Sequence, residues 1–311
     1  DIMELLQTMI HKEKSVYSRP MRYSIAAKEG GGRHEQLTGA WRVKICEWIF
    51  EVVDYFSFDR QVVAIALDYL DRSASVLDDA SSDDGIDRRE YQLLAISSLY
   101  LAIKLHGESE TKEGLRLKMK VSAFEQLGRG LFQATAIEAT ERKILTLLGW
   151  QLNPPIPSQY VAYLVRLVPR WPANRAPSFQ AMAMELHDTT KYLTELACFN
   201  LVLTFDVDPS IVAYGALIAA LEILATKTPF PHGTYTTFLH HLANINPAWS
   251  PFNRDVILVQ QTLREISPIT FQGVPLHIQH LVTYRDEPSA ALHTPDGRIL
   301  EEEEDTRTSR T

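Results

Sequence analysis

Apolar side chains recur at steps of three and four along most of this chain, the period of a helix with one face in a core, and no pair of alternating segments reads as strands. An all-α fold is therefore expected. Residues 2–14 read as a short amphipathic helix, followed by a loop holding Gly30, Gly31 and Gly32. The next helix aligns Trp41, Ile45, Trp48, Ile49, Val52 and Phe56. Ser57 and Asp59 then look like helix-start residues for a stripe of Val62, Val63, Ile65, Ala66, Tyr69 and Leu70. A polar, acidic break, DDASSDDGIDRR, separates that helix from a segment of another kind.

From Tyr91 to Ile103 there is no charged group, and at helical spacing Leu93, Leu94, Ile96, Leu99, Leu101 and Ile103 fall on every face. A helix apolar all round is surrounded by other helices. Its first charge, Lys104, must reach water or a partner. A loop at Gly107–Lys120, a short helix at Val121–Leu127 and a long one from about Leu131 to Gly149 follow. Three prolines in NPPIP, Asn153–Pro157, exclude helix interior and place a boundary there. The second half is again helical, with a break at VPRWPANRAPS. The expected divisions are an N-terminal helix and loop (1–34), one helical bundle (35–152), a second (153–282) and a disordered acidic tail (283–311) containing Glu301–Glu304.

The two halves carry a weak internal repeat. A shift of 118 residues lays Leu93, Leu94, Ala95, Leu99, Ala102 and Ile103 on Ile211, Val212, Ala213, Leu217, Ala220 and Leu221, with Glu222 opposite Lys104. Greasy helices also agree by chance, so the pattern alone leaves common descent and coincidence level.

Length adds that 311 residues suffice for two domains with full cores. Net charge is −8, of which the eight acids and four arginines from Tyr284 onward account for half. The mildly acidic body lacks the basic field a strong nucleic-acid binder needs. Cys46 and Cys198 read as buried hydrophobes of a reducing compartment, too few for a zinc ribbon. No apolar run approaches 18 residues and no N-terminal signal is visible, so an intracellular soluble protein without metal or cofactor is expected.

Four stretches, WRVKICEWIFEVVDYF, VVAIALDYLDRS, YQLLAISSLYLAIKL and ATERKILTLLGWQL, resemble in order and sense the first, second, third and fifth helices of the cyclin box. The resemblance covers roughly Asp1–Leu152, and the second half fits a C-terminal cyclin fold more loosely. It implies tandem five-helix bundles and a regulatory subunit, not an enzyme, that binds and activates a cyclin-dependent protein kinase in the nucleus or cytoplasm. The cell-cycle type is nearest; a transcriptional or metabolic cyclin is the alternative. Lys104 and Glu141 match the lysine and glutamate that cyclins bond to the kinase backbone near its C helix. Leu101 and Leu105 would form one wall of the flanking groove, with Leu145, Leu148 and Leu152 on the other. A lone lysine at a helix end would be read as snorkelling to solvent; the matched Glu141 reverses that reading.

Arg42 and Asp71 match a structural salt bridge between the first two helices. Trp48, Glu51 and Gln92 fall where some cyclins dock Arg-x-Leu substrates or inhibitors, and Trp41 and Ile45 keep that patch apolar. Lys44 departs from the pattern, placing a cation where an aliphatic side chain lines the pocket. An altered docking site and a plain amphipathic helix both remain open there.

Two readings from other classes are weaker. The DDASSDD run suggests the aspartate-rich magnesium site of an all-helical isoprenoid synthase, but no second such motif accompanies it, and charge runs are usually solvated. General transcription factors with tandem cyclin folds carry a zinc ribbon and a basic body, neither present here. Thr294-Pro295 is a minimal proline-directed phosphorylation site.

Overall fold

In a computed structural model of the chain, residues 1–17, 39–80, 86–107, 119–169, 179–225 and 232–266 are described. The glycine run at 30–32, most of the 107–120 loop, residues 81–85 of the acidic break, most of VPRWPANRAPS, and the tail with Thr294-Pro295 lie outside them. Every regular element among the described residues is helical. These residues fall into two compact units, one of residues 39–153 and one of residues 1–17 with 154–266.

The first unit contains α2 (Gly39–Tyr55), α3 (Gln61–Ala80), α4 (Arg88–His106), α5 (Val121–Leu127) and α6 (Ala134–Leu147). Helix α4 packs on α3, α6 and α5. Its buried residues run from Tyr91 to Ile103 on every face, including Ser97 and Ser98, whose small side chains let neighbours approach. Both ends are fixed locally. Asp87 accepts from the Glu90 amide at 2.7 Å, and the Gly107 N–H donates to the Ile103 carbonyl at 2.8 Å. Gly107 is required there, because a Cβ would sit 2.6 Å from the Ile103 oxygen.

Two expectations are corrected. Helix α3 continues to Ala80, so the first three residues of the DDASSDDGIDRR break belong to helix and the break is shorter than its acidic composition implied. Ser75 is buried, which anchors that last stretch. Asp59 does open α3, accepting from the Gln61 amide at 2.9 Å, but Ser57 adopts a left-handed φ of 55° in the preceding turn and caps nothing there.

The second unit contains α1 (Ile2–Ser15), α7 (Pro157–Leu164), α8 (Phe179–Ala197), α9 (Leu201–Phe205), α10 (Pro209–Ala225), α11 (His232–Ile245) and α12 (Arg254–Ile266). Helix α10 takes the central place, packed on α8, α12 and α7 and buried continuously from Ser210 to Leu221. Gly215 permits α12 to approach it, since a Cβ at that position would lie 2.6 Å from Val259 Cγ1.

Helix α1 packs on α7 and α11 through Leu6, Ile10 and Glu13, spaced along one face. Glu13 is buried, and its carboxylate accepts from the Ser210 amide at 2.9 Å and the Ser210 hydroxyl at 2.7 Å. It thus satisfies an N-terminal amide of α10, where the helix dipole favours negative charge. The Ser210 carbonyl accepts from the indole of the fully buried Trp249 at 3.0 Å, and Trp249 stacks on Tyr214. Burial nevertheless raises Glu13 to about 7, with Asp208 adding repulsion; the Ser210 hydrogen bonds and neighbouring Tyr160 oppose the shift.

Two predictions follow from this packing. Gly215→Ala should destabilise the chain by about 1–3 kcal/mol through overpacking, and Val259→Ala in the same chain should recover part of the loss. Paired thermal melts measure it, and strictly additive losses would contradict the proposed contact. For Glu13 the folded state binds the extra proton, so its contribution is present at acid pH and lost as pH rises from about 4.5 to about 7. Denaturant stability of wild type relative to Glu13→Gln should therefore fall across that interval, by up to about 3 kcal/mol. A flat difference curve would rule this out.

Candidate functional site

The end of α4 is where an otherwise charge-free helix leaves its bundle. Lys104 Nζ there donates to Glu141 Oε1 of α6 at 2.8 Å. The pair is asymmetric, the lysine side chain being 52% exposed and the glutamate 9%. The Glu141 hydrogen bond holds the Lys104 ammonium above its ordinary range, and Tyr100 lies beneath it with its ring centroid 5.4 Å away. An ammonium has three donors, and Glu141 Oε1 engages one of them. The half-exposed head can therefore offer donors outward while staying tethered.

The residues expected to flank this pair divide between rim and core. Leu105 is 48% exposed, and Leu145 and Leu152 are half-buried. Leu101 is only 1% exposed and Leu148 also is buried, so these two pack inside the bundle instead of lining an open groove. The reason is position: Leu105 lies in the last turn of α4, whereas Leu101 is one turn deeper. Glu141 sits mid-way along α6, which begins at Ala134.

A surface residue that the hydrophobic pattern did not single out lies beside them. Trp150 is 71% exposed and follows Gly149, the two taking left-handed φ values of 62° and 56°. Glycine adopts that conformation freely, and tryptophan does so only under constraint. Its amide donates to the Leu145 carbonyl at 3.1 Å, closing the end of α6. The sequence signal was the Gly-Trp pair after a helix, which marks a C-cap followed by a side chain turned outward.

Arg42 and Asp71 meet inside the same bundle. The guanidinium of α2 reaches the carboxylate of α3 through Nε at 3.0 Å and Nη2 at 2.7 Å, with both side chains 2% exposed. Asp68, one turn before Asp71, pairs with Arg72 at 3.1 Å, and burial raises it to about 6.

On the first-helix patch, Ile45 is buried and so lines no exposed pocket; Trp41, Trp48 and Gln92 are half-buried and Glu51 is exposed. Arg88, which the sequence reading did not pick out, lays its guanidinium over Trp41 at 4.1 Å, and Lys44 Nζ lies 5.6 Å from the same ring. Gln92 follows Arg88 by one turn of α4. Although Glu51 is exposed, partial desolvation of its carboxyl and Glu47 one turn away raise it above its ordinary value. Among the described residues no group of acids, histidines and cysteines is arranged to hold a metal ion, and no helix is long and apolar enough to cross a membrane.

Residues 4–153 match the family model for the cyclin N-terminal domain. The chain is a member of the cyclin family. It is 31% identical over 144 residues to Cyclin-D4-1 of Oryza sativa subsp. japonica, covering 46% of this chain and 37% of that protein. It is 23% identical over 208 residues to G2/mitotic-specific cyclin-B1 of Oryzias luzonensis, covering 67% of this chain and 45% of that protein. The chain thus spans less than half the length of these curated relatives. The X-ray structure of a viral cyclin from herpesvirus saimiri superposes with a TM-score of 0.55 at 16% identity, over 85% of this chain and 96% of the viral one. That likeness extends the cyclin fold across both units.

The buried Arg42–Asp71 pair gives a direct stability test for this cyclin. Arg42→Ala or Asp71→Ala should cost about 3–5 kcal/mol by leaving one charge buried and unpaired, and Arg42→Met with Asp71→Leu should cost much less. A double variant that loses the sum of the two single losses, by chemical denaturation, would show that the pair is not coupled.

Proposed function

We propose that this cyclin is the regulatory subunit of a cyclin-dependent protein kinase, binding the kinase C helix with the α4–α6 rim and acting in cell-cycle progression in the nucleus or cytoplasm. The observation that carries the reading is the Lys104–Glu141 pair, on helix ends whose apolar residues Leu105 and Trp150 are exposed and Leu145 and Leu152 half-buried. Interfaces of this composition draw affinity from a few buried anchors, and aromatic residues are prominent among them. Charged groups at the edge fix register more than they add affinity.

The chain supplies no chemistry in this scheme. A protein kinase needs an ion pair between its own lysine and a C-helix glutamate before ATP phosphates are positioned. A partner that binds the inward C helix more tightly than the outward one shifts the kinase toward the competent state. Moving a 1:99 population to 99:1 takes about 5.5 kcal/mol of differential binding. Pre-pairing of Lys104 with Glu141 lowers the ordering cost at the moment of contact, because both tips are already aligned.

The reading extends to the first-helix patch as a secondary surface for kinase substrates or inhibitors. Glu51 beside Glu47 offers an anion to an incoming arginine, whereas Trp41 already carries Arg88 and sits near Lys44. A peptide docking there would set its cation on the glutamates and not on the Trp41 face.

Affinity measurements against a panel of purified cyclin-dependent kinases test the main proposal. Lys104→Ala with Glu141→Ala should weaken binding of the cognate kinase by at least ~30-fold while helical content and melting stay close to wild type, since both charges leave together. Lys104→Ala alone should also lower stability, by stranding the nearly buried Glu141. Full kinase retention by the double variant, or no kinase bound by wild type, would overturn the reading.

A further inference from the structure

Immediately beyond Trp150, two consecutive backbone carbonyls are held by side chains from other helices. The Leu152 carbonyl accepts from the Tyr69 hydroxyl of α3 at 2.5 Å and from His106 Nε2 of α4 at 2.9 Å. The Gln151 carbonyl accepts from Arg72 of α3 at 3.1 Å. Tyr69 and His106 also touch each other at 3.1 Å. A carbonyl oxygen has two lone pairs, and the Leu152 oxygen uses both. Because the Leu152 carbonyl can only accept, His106 Nε2 carries the proton of that bond, and the Tyr69 hydroxyl donates its own to the same oxygen.

These ties are not incidental to packing. Tyr69 is fully buried, so its hydroxyl has no water to turn to if the Leu152 carbonyl moves away. The held segment directly follows the left-handed pair Gly149 and Trp150. A left-handed tryptophan whose ring is largely in solvent gains little from its own side-chain packing, so its backbone geometry has to be imposed from outside. The amide of Trp150 is fixed on one side by Leu145, and the carbonyls of residues 151 and 152 are fixed on the other.

We infer that Tyr69, His106 and Arg72 are positioning residues that clamp the 151–152 backbone and thereby hold Trp150 outward as a preformed anchor for the kinase. This rests on the docking role proposed above. His106 links the clamp to the docking pair, since it lies two residues after Lys104 on α4. The three residues touch no kinase in this scheme. They act through the backbone that carries Trp150.

The test uses Tyr69→Phe and His106→Leu, each alone and each combined with Trp150→Ala. Hydrogen exchange in the free chain should quicken by ~5-fold to ~10-fold at the amides of residues 149–151, the loss expected for one hydrogen bond, with protection in the middle of α3, α4 and α6 unchanged. Kinase affinity should fall by a similar factor in the single variants. In the Trp150→Ala background neither substitution should weaken binding further. A purely structural role would give additive losses, and additivity would overturn the inference, as would unchanged exchange at residues 149–151. If wild type binds no kinase, the docking proposal fails, and exchange in His106→Leu and Tyr69→Phe alone then decides whether the clamp exists. Should Tyr69→Phe fail to fold, His106→Leu, at a half-buried helix end, carries the test.

Discussion

A helix that is apolar on every side can exist in water only inside a ring of other helices, and α4 imposes that condition on the first unit. Thirteen residues from Tyr91 to Ile103 without a charge fix the centre of the bundle before any neighbour is specified. What remains to be decided is how the neighbours are held and where the helix gets out. The Arg42–Asp71 pair answers the first, joining α2 to α3 by a buried, bidentate contact that is geometrically demanding and so fixes one arrangement. The last turn of α4 answers the second. Lys104 and His106 fall at the negative end of the helix dipole, where cations are favoured, and both are bonded to α6 or the chain that leaves it. The rim is therefore a consequence of the core: the first polar residues after a buried helix converge on the same neighbour.

The second unit repeats the constraint with another outcome. Helix α10 is more thoroughly apolar than α4, and it too ends in a charge paired with the last helix of its unit. There Glu222 is bonded to Arg264 of α12, reversing the sign of Lys104–Glu141. An ion pair at the exit of the central helix thus belongs to the architecture and does not by itself mark a binding surface. The difference lies around it. The residue after Lys104 is the exposed Leu105, while the residue after Glu222 is the partly buried Ile223, packed against its own core. Apolar surface left open beside a fixed charge distinguishes the first unit from the second.

Much of this was legible in sequence because burial leaves a periodic trace. The charge-free run of α4, the short helix Val121–Leu127 and the proline break at Asn153–Pro157 are each set by local composition. The failures share a cause. Asp78 and Asp79 read as a break because aspartate is a poor helix former, yet the buried Ser75 and the core upstream carry α3 past them. Leu101 and Leu148 were placed in the groove by resemblance, which carries a position along the helix but not its depth, and both are buried. Arg88 and Trp150 were passed over because neither breaks a pattern. Arg88 matters through Trp41, 47 residues away in the chain, and Trp150 through a left-handed backbone signalled only by the Gly149 before it. Glu13 shows the same limit more sharply: in an amphipathic helix it looks like one more solvent-facing acid, and only its meeting with Ser210 across 197 residues makes it a cap for α10.

Exposed aromatic surface is costly for a free protein, and a left-handed tryptophan adds backbone strain of roughly 1–3 kcal/mol. Such a feature persists only when its surroundings over-determine it. At Trp150 they do, with an amide tied to Leu145 and the two succeeding carbonyls tied to Tyr69, His106 and Arg72. Those bonds draw on three helices, so the segment cannot relax without α3, α4 and α6 shifting together. Cooperation of that kind turns a surface loop into part of the rigid scaffold. It also separates two quantities that composition alone would merge: the apolar area the rim exposes, and the freedom of the backbone that presents it.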